Sequence, residues 1–185
     1  MGLDVGLTEF LIDSEGHKTE NPRILKASLA RLAAEQTKLA RKKKGSTNRA
    51  RQKRKVSIIH EQVANRRYDF IHQVTAKLAD KNHATTIAVE DLNIKGMVKN
   101  YKLARAIQDA SWGMFLTTLE YKCRWNGKNL IRIGRFQPSS KLCSCCGHKM
   151  ESMPLSIREW ECPDCHSVND RDINAARSRT KPHET

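Results

Sequence analysis

The apolar positions along this chain change period several times. Residues 2–13, GLDVGLTEFLID, are dense in apolar and β-branched side chains and are bounded by Ser14-Glu15-Gly16. That pattern predicts one or two short strands with a turn, returning through His17–Thr19. From residue 24 the spacing becomes helical: Ile24, Leu25, Leu29, Leu32 and Leu39 fall on one face. Asn21 is placed to cap this helix and Pro22 to occupy its first position, so it is expected to run from about 22 to 43. Gly45-Ser46-Thr47-Asn48 interrupts the pattern. Val56, Ile59, Val63, Phe70, Val74 and Leu78 then recur by threes, fours and one seven. A helix over 49–80 would be roughly 45–50 Å long at ~1.5 Å per residue. The two helices should fold back as an antiparallel hairpin.

Thr85–Val89 reads as a short buried strand ending on Glu90-Asp91, residues 103–125 as one amphipathic helix, and Leu130–Phe136 as another strand stopped by Pro138. A closing helix should start near Asp170 or Asp172. Strands separated by helical stretches predict an α/β fold. Its organisation would be a core over 1–140 containing the hairpin (about 22–80), a cysteine module over 141–168, and a final segment over 169–185.

Charge narrows the partners. Thirty-four Lys and Arg against twenty Asp and Glu give a formal net charge of +14, while only 38% of residues are hydrophobic. Such an excess calls for a polyanion, with nucleic acid ahead of an anionic membrane surface, and gives no reason to expect a small-molecule substrate. Nine of the basic residues lie between 41 and 60, where there is no acidic residue: Arg41, Lys42, Lys43, Lys44, Arg49, Arg51, Lys53, Arg54 and Lys55. They form either a solvated hairpin tip or an arm that follows phosphates, and the global charge favours the arm. No stretch approaches the ~18–20 apolar residues of a membrane span. Asp4, Glu9, Asp13 and Glu15 are incompatible with a secretory signal. A cytoplasmic, nucleoid-associated prokaryotic protein is expected.

In such a compartment paired cysteines mean metal. Cys143 and Cys146 form one C-x₂-C pair, Cys162 and Cys165 a second, fifteen residues on. That spacing predicts a ribbon holding one structural zinc ion, and four thiolates leave no open position for chemistry. Gly147 suits the tight knuckle turn. Cys145, His148 and His166 are expected to lie outside the ligand set, Trp160 to pack in the ribbon's small core, and Cys123 to be a buried helix residue.

Three carboxylates occupy unusual settings. Asp4 lies mid-strand between Leu3 and Val5, Glu90 ends a second apolar strand, and Asp170 and Asp172 bracket Arg171 at a helix start. Singly, each has an ordinary reading as a turn residue, a solvated strand end or a helix cap. Together they are a candidate site for hard cations, Mg²⁺ or Mn²⁺, which could support phosphodiester hydrolysis.

The motifs GLDVGL (2–7), NPR (21–23), KKKGS (42–46), NRAR (48–51), VEDLNIKGMVKN (89–100), ASWGMF (110–115), PSSKLCSCCG (138–147), REWECPDC (158–165) and DRDINAA (170–176) occur in this order. In them the chain resembles the nuclease half of TnpB proteins, the OrfB-type proteins of insertion sequences and relatives of type V CRISPR nucleases. The resemblance implies a ribonuclease-H-like, RuvC-type core with an inserted four-cysteine zinc ribbon. It also implies DNA cleavage directed by a guide RNA. Asp4, Glu90 and Asp172 would be the catalytic, metal-binding acids, with Asp170 as the alternative to Asp172. TnpB proteins carry a long N-terminal region that grips guide RNA and target DNA, whereas the sequence here opens on the first nuclease strand. His166 replaces the usual glycine, and Arg177-Ser178-Arg179-Thr180 departs from the usual NAAxNI ending. A metal-dependent DNA endonuclease domain is the leading expectation. A non-catalytic nucleic-acid-binding remnant is the alternative, and recombinase-like strand transfer a weaker third.

Overall fold

The computed structural model describes residues 1–80, 83–134, 141–154 and 156–180. Its centre is a five-stranded mixed sheet built from β1 (Gly2–Val5), β2 (Glu9–Asp13), β3 (Lys18–Glu20), β4 (Thr86–Glu90) and β5 (Asn129–Ile133), in the order β3-β2-β1-β4-β5. The first three strands form the expected antiparallel meander, and β4 runs parallel to both β1 and β5. The strand expected to reach Phe136 and Pro138 stops at Ile133 among the described residues; 135–140 lie outside them.

Helices α1 (Ile24–Ala40) and α2 (Thr47–Ala79) make the hairpin. At 33 residues α2 is about 50 Å long at ~1.5 Å per residue. Its start is fixed by Ser46, whose side chain accepts the Arg49 backbone N–H at 3.2 Å. Leu32, Val56 and Ile59 form a small buried seam between the helices. Gln52 crosses it to donate to the Glu35 carboxylate at 2.6 Å.

Asn21 does not cap α1. Its amide donates to the Leu7 carbonyl, and Arg23, in the left-handed region at φ 43°, precedes the helix without a side-chain cap. The exposed donors of the first turn, Leu25 N–H and Lys26 N–H, are instead taken by the Asp109 carboxylate at 2.8 and 3.1 Å. The cap therefore comes from 84 residues away, held in place by Arg67. The helix also ends at Ala40 rather than 43.

The expected single helix over 103–125 is two. After the short α3 (Ile94–Met97), α4 (Tyr101–Ala110) and α5 (Trp112–Trp125) are separated by Ser111 at φ 54°. This turn lets Ile107 and Ala110 on one side and Trp112, Phe115 and Leu119 on the other enter the same core with Leu3, Phe10, Ile71, Ile87 and Val89. Phe10 sits at its middle, edge-on to Phe70 and Phe115 at 4.9 and 5.3 Å. Cys123 is buried at its border, as expected, and burial raises its thiol pKa.

The cysteine module contains a two-stranded antiparallel hairpin, β6 (Glu159–Glu161) and β7 (Val168–Asp170), over a cluster of Cys143, Met153, Trp160 and Cys162. The last strand runs directly into α6 (Arg171–Ser178), which lies against β1. Gly2 allows that approach: a Cβ there would come within 1.9 Å of the Ala176 carbonyl oxygen. Among the described residues no helix is long and apolar enough to cross a membrane.

Candidate active site and metal centre

Leu3 pairs with Val89 across the parallel β1–β4 ladder. The next residues, Asp4 and Glu90, therefore end up side by side at the carboxyl ends of neighbouring strands, spaced about 4.8 Å. In open α/β sheets this is the edge at which ligands bind. Asp172 lies in the first turn of α6, which packs against β1 and β2, with Arg177 Nε donating to the Ser14 carbonyl at 3.1 Å beside the amino end of β1. Asp4 feels the charge of both other acids. Burial pushes the Asp4 carboxyl above its ordinary pKa; Arg179 opposes this, and the charges of Asp172 and Glu90 add to it.

Asp170 and Asp172 have different surroundings. Asp170 is the N-cap of α6, accepting from Asp172 N–H and Ile173 N–H at 3.0 Å each. It also accepts from Lys18 Nζ at 3.1 Å. Burial alone would raise its pKa, but these bonds from Ile173, Lys18 and Asp172 outweigh it and lower the carboxyl below its usual value. Asp172 has a longer contact, 3.4 Å from Arg158 Nη1, with both side chains partly exposed.

A cation already lies between two of the acids. Arg179 Nη1 donates to Asp4 Oδ1 at 2.6 Å and to the Leu3 carbonyl at 2.7 Å, and Nη2 donates to Glu90 Oε2 at 2.8 Å. Its side chain is 3% exposed, against 21% for Asp4 and 34% for Glu90. From sequence alone Arg177 and Arg179 read as a departure from the usual NAAxNI ending. Only the register that places Asp4 beside Glu90 and the length of α6 reveal the contact. The oxygen donors suit a hard divalent ion, but the guanidinium occupies the ground between them, so the set fits such an ion only with Arg179 moved aside.

The cysteine cluster fits a metal directly. Sγ atoms of Cys143, Cys146, Cys162 and Cys165 all lie within 4.8 Å of one another, with Cys143–Cys165 at 3.7 Å and Cys146–Cys162 at 3.6 Å. The edge of a tetrahedron with ~2.3 Å Zn–S bonds is about 3.8 Å. Burial alone would raise the Cys143 thiol, but bonds from Ser167 and from the Cys146 and Cys145 backbone bring it down to about 6. A bond from the His148 N–H favours the Cys146 thiolate, yet burial and the surrounding sulfurs push that thiol up to about 12. A cation among the four sulfurs would let all of them bind as thiolates. The two knuckles match: Gly147 N–H bonds the Cys143 carbonyl and His166 N–H the Cys162 carbonyl, both at 2.9 Å, with φ 84° and 57°. His166 thus stands in a left-handed position that favours glycine. Trp160 is buried beside the sulfurs, and Cys145 is exposed outside the cluster.

A second polar group, Asp13, Glu15 and His17, also comes within ligand distance. The Asp13 carboxylate is engaged in its own turn, accepting from the Glu15 and His17 backbone N–H groups at 2.9 Å each.

Of the nine basic hairpin residues, Arg49 caps the end of α1, donating to the Leu39 and Lys42 carbonyls at 2.9 and 3.2 Å. Arg49 is half-buried, whereas Arg41, Lys42, Lys43, Lys44, Arg51, Lys53, Arg54 and Lys55 are exposed around the tip. A second basic surface is not apparent in the sequence: a groove between α1 and α4 lined by Arg23, Lys26, Lys99, Lys102 and Arg105, with Tyr101 82% exposed at its rim. These charges come from two distant segments and form no run. The spacing of Lys99, Lys102 and Arg105 by threes was the available signal.

Residues 1–101 match the OrfB_IS605 family, described as "Probable transposase". The chain belongs to this family, the TnpB proteins. Residues 112–178 match a second description, "Cas12f1-like, TNB domain". A protein of Streptomyces pristinaespiralis named "Putative RNA-guided DNA endonuclease" is 46% identical over 178 residues, covering 96% of this chain and 44% of the relative. InsQ of Escherichia coli K12, carrying the same description, is 32% identical over 193 residues, covering 96% of this chain and 47% of the relative. The chain thus spans less than half the length of these TnpB-family relatives. In structure, it superposes on a chain of the cryo-EM Cas12f1–sgRNA–target DNA complex with a TM-score of 0.69 at 19% identity, over 98% of this chain and 49% of that one. This TnpB-family chain therefore shares that α/β fold.

Proposed function

We propose that this chain is the RuvC-type nuclease and zinc-ribbon portion of a TnpB-type DNA endonuclease. In this reading Asp4, Glu90 and Asp172 are the catalytic carboxylates and would hold Mg²⁺ or Mn²⁺. When bound, such ions activate water and stabilise the leaving oxygen in phosphodiester cleavage. The residues of the chain would bind and orient: β1 and β4 hold two acids side by side, and α6 carries the third. The observation that carries the reading is the placement of Asp4 and Glu90 on adjacent parallel strand ends, where one buried guanidinium bridges them.

Cys143, Cys146, Cys162 and Cys165 would hold zinc as a structural ion. The exposed hairpin tip and the Arg23–Arg105 groove supply positive surface for DNA, and for guide RNA where the protein works with one. Single-stranded DNA incubated with the purified chain and Mn²⁺ should be cut, and Asp4→Ala or Glu90→Ala should abolish cutting. Equal behaviour of wild type and both variants would favour the non-catalytic alternative. In that case binding should weaken steeply with salt and be indifferent to Asp4.

A further inference from the structure

We infer that Arg179 is an internal cation that keeps the carboxylate centre closed to divalent metal until its guanidinium is withdrawn. The inference rests on reading Asp4 and Glu90 as metal ligands, and it concerns what competes for them. The guanidinium is 3% exposed and commits donors to both carboxylates and to the Leu3 carbonyl between them. An arginine is always charged, and its planar fork can bridge two carboxylates as a point-like ammonium cannot. Two carboxylates on adjacent strand ends repel, and a cation between them favours keeping both ionised. Arg179 supplies it without any ion from solution.

A divalent ion entering the same space must break these contacts and strand the guanidinium. Withdrawal breaks three hydrogen bonds of a buried side chain at the end of a helix. Arg179 is the residue that ends α6, its backbone held by N–H bonds to the Ala175 and Arg177 carbonyls, so its side chain can leave without disturbing Asp172 at the other end of the helix. Metal affinity is thus set by a competition inside the protein as well as by the acids.

The test is Mn²⁺ titration of the zinc-loaded chain, followed by loss of the free-ion paramagnetic resonance signal. Wild type is compared with Arg179→Met, Arg179→Lys and the double variant Arg179→Met/Asp4→Asn. Arg179→Met should bind Mn²⁺ at least about tenfold more tightly than wild type, the shift expected from losing even one charge-assisted hydrogen bond. Adding Asp4→Asn should remove the gain, and Arg179→Lys should fall between. If Arg179→Met folds only partly without metal, the same competition will appear as a larger Mn²⁺-induced rise in its melting temperature than in wild type. Equal affinities and equal melting shifts, with Asp4→Asn still removing binding, would overturn the role of Arg179 and leave the carboxylate centre standing. Absence of Mn²⁺ binding in every variant would overturn both.

Discussion

Asn174 in α6 donates its side-chain amide to the carbonyl of Leu142, immediately before the first ribbon cysteine, at 2.7 Å. Its oxygen accepts the Ser144 backbone N–H at 2.8 Å, and the residue is 1% exposed. One buried amide thus fastens the cysteine module to the helix that carries Asp172, and Ser178 adds a hydroxyl to the same Leu142 carbonyl at 3.1 Å. In the proposed reading the ribbon would act as scaffold for the candidate active site rather than as an independent finger. Replacing Asn174 with Ala should destabilise the chain by about 2–4 kcal/mol, because two buried backbone groups lose their partner. Denaturant unfolding measures this. Zinc chelation or Cys162→Ser should lower nuclease activity together with folding, and full Mn²⁺-dependent cleavage by Cys162→Ser would contradict the coupling.

Gly2 is the other contact on which the position of α6 depends. In Gly2→Ala the added carbon would fall 1.9 Å from the Ala176 carbonyl oxygen, a backbone atom that cannot yield unless the helix moves. A loss of about 1–3 kcal/mol is expected, read from the urea midpoint. Unchanged stability would mean that α6 packs on β1 less closely than described.

Much of this was legible in the sequence because the signals are local. Two C-x₂-C pairs define the cluster whatever surrounds them, and GLDVGL and TIAVE carry the apolar density of buried strands. What the sequence hid is supplied from far along the chain. Asn21 has the right identity and place for a cap, yet Asp109 takes that role because α4 delivers a carboxylate to the open end of α1. The periodicity over 103–125 continues through Ser111, so only the need to bury Ile107 and Trp112 in one core reveals the break. Arg179 carries no local signal at all. Its meaning comes from the register of β1 on β4.

The cap of α6 gives a pH prediction. The Asp170 pKa is lowered in the folded chain, so its ionised form stabilises folding. That contribution is complete above the unfolded value of 3.8 and is lost as pH falls below it through the depressed native pKa. Asp170→Ala should cost about 1 kcal/mol at neutral pH. Thermal melts should show a gap from wild type that is constant between about pH 5 and 8 and closes progressively below about pH 4.

Nucleic-acid affinity should be salt-dependent in proportion to the phosphates engaged. Changing Lys42, Lys43 and Lys44 together to Ser should weaken single-stranded DNA binding at low salt. The log–log salt slope should fall by up to about 0.7 for each lost contact. The Lys99→Ser/Lys102→Ser/Arg105→Ser variant is the matching test of the groove. An unchanged slope in either variant, by fluorescence anisotropy across a salt series, would remove that surface from the interface.

The most direct test of the carboxylate centre separates two acids that lie two residues apart. Under Mn²⁺, single-turnover cleavage of single-stranded DNA should fall by about 10²-fold or more in Asp172→Ala, as in Asp4→Ala and Glu90→Ala. Asp170→Ala should retain cleavage within a few fold wherever it remains folded. Cleavage that survives Asp172→Ala but disappears in a folded Asp170→Ala would contradict the assignment, and cleavage that survives all four would contradict the centre itself.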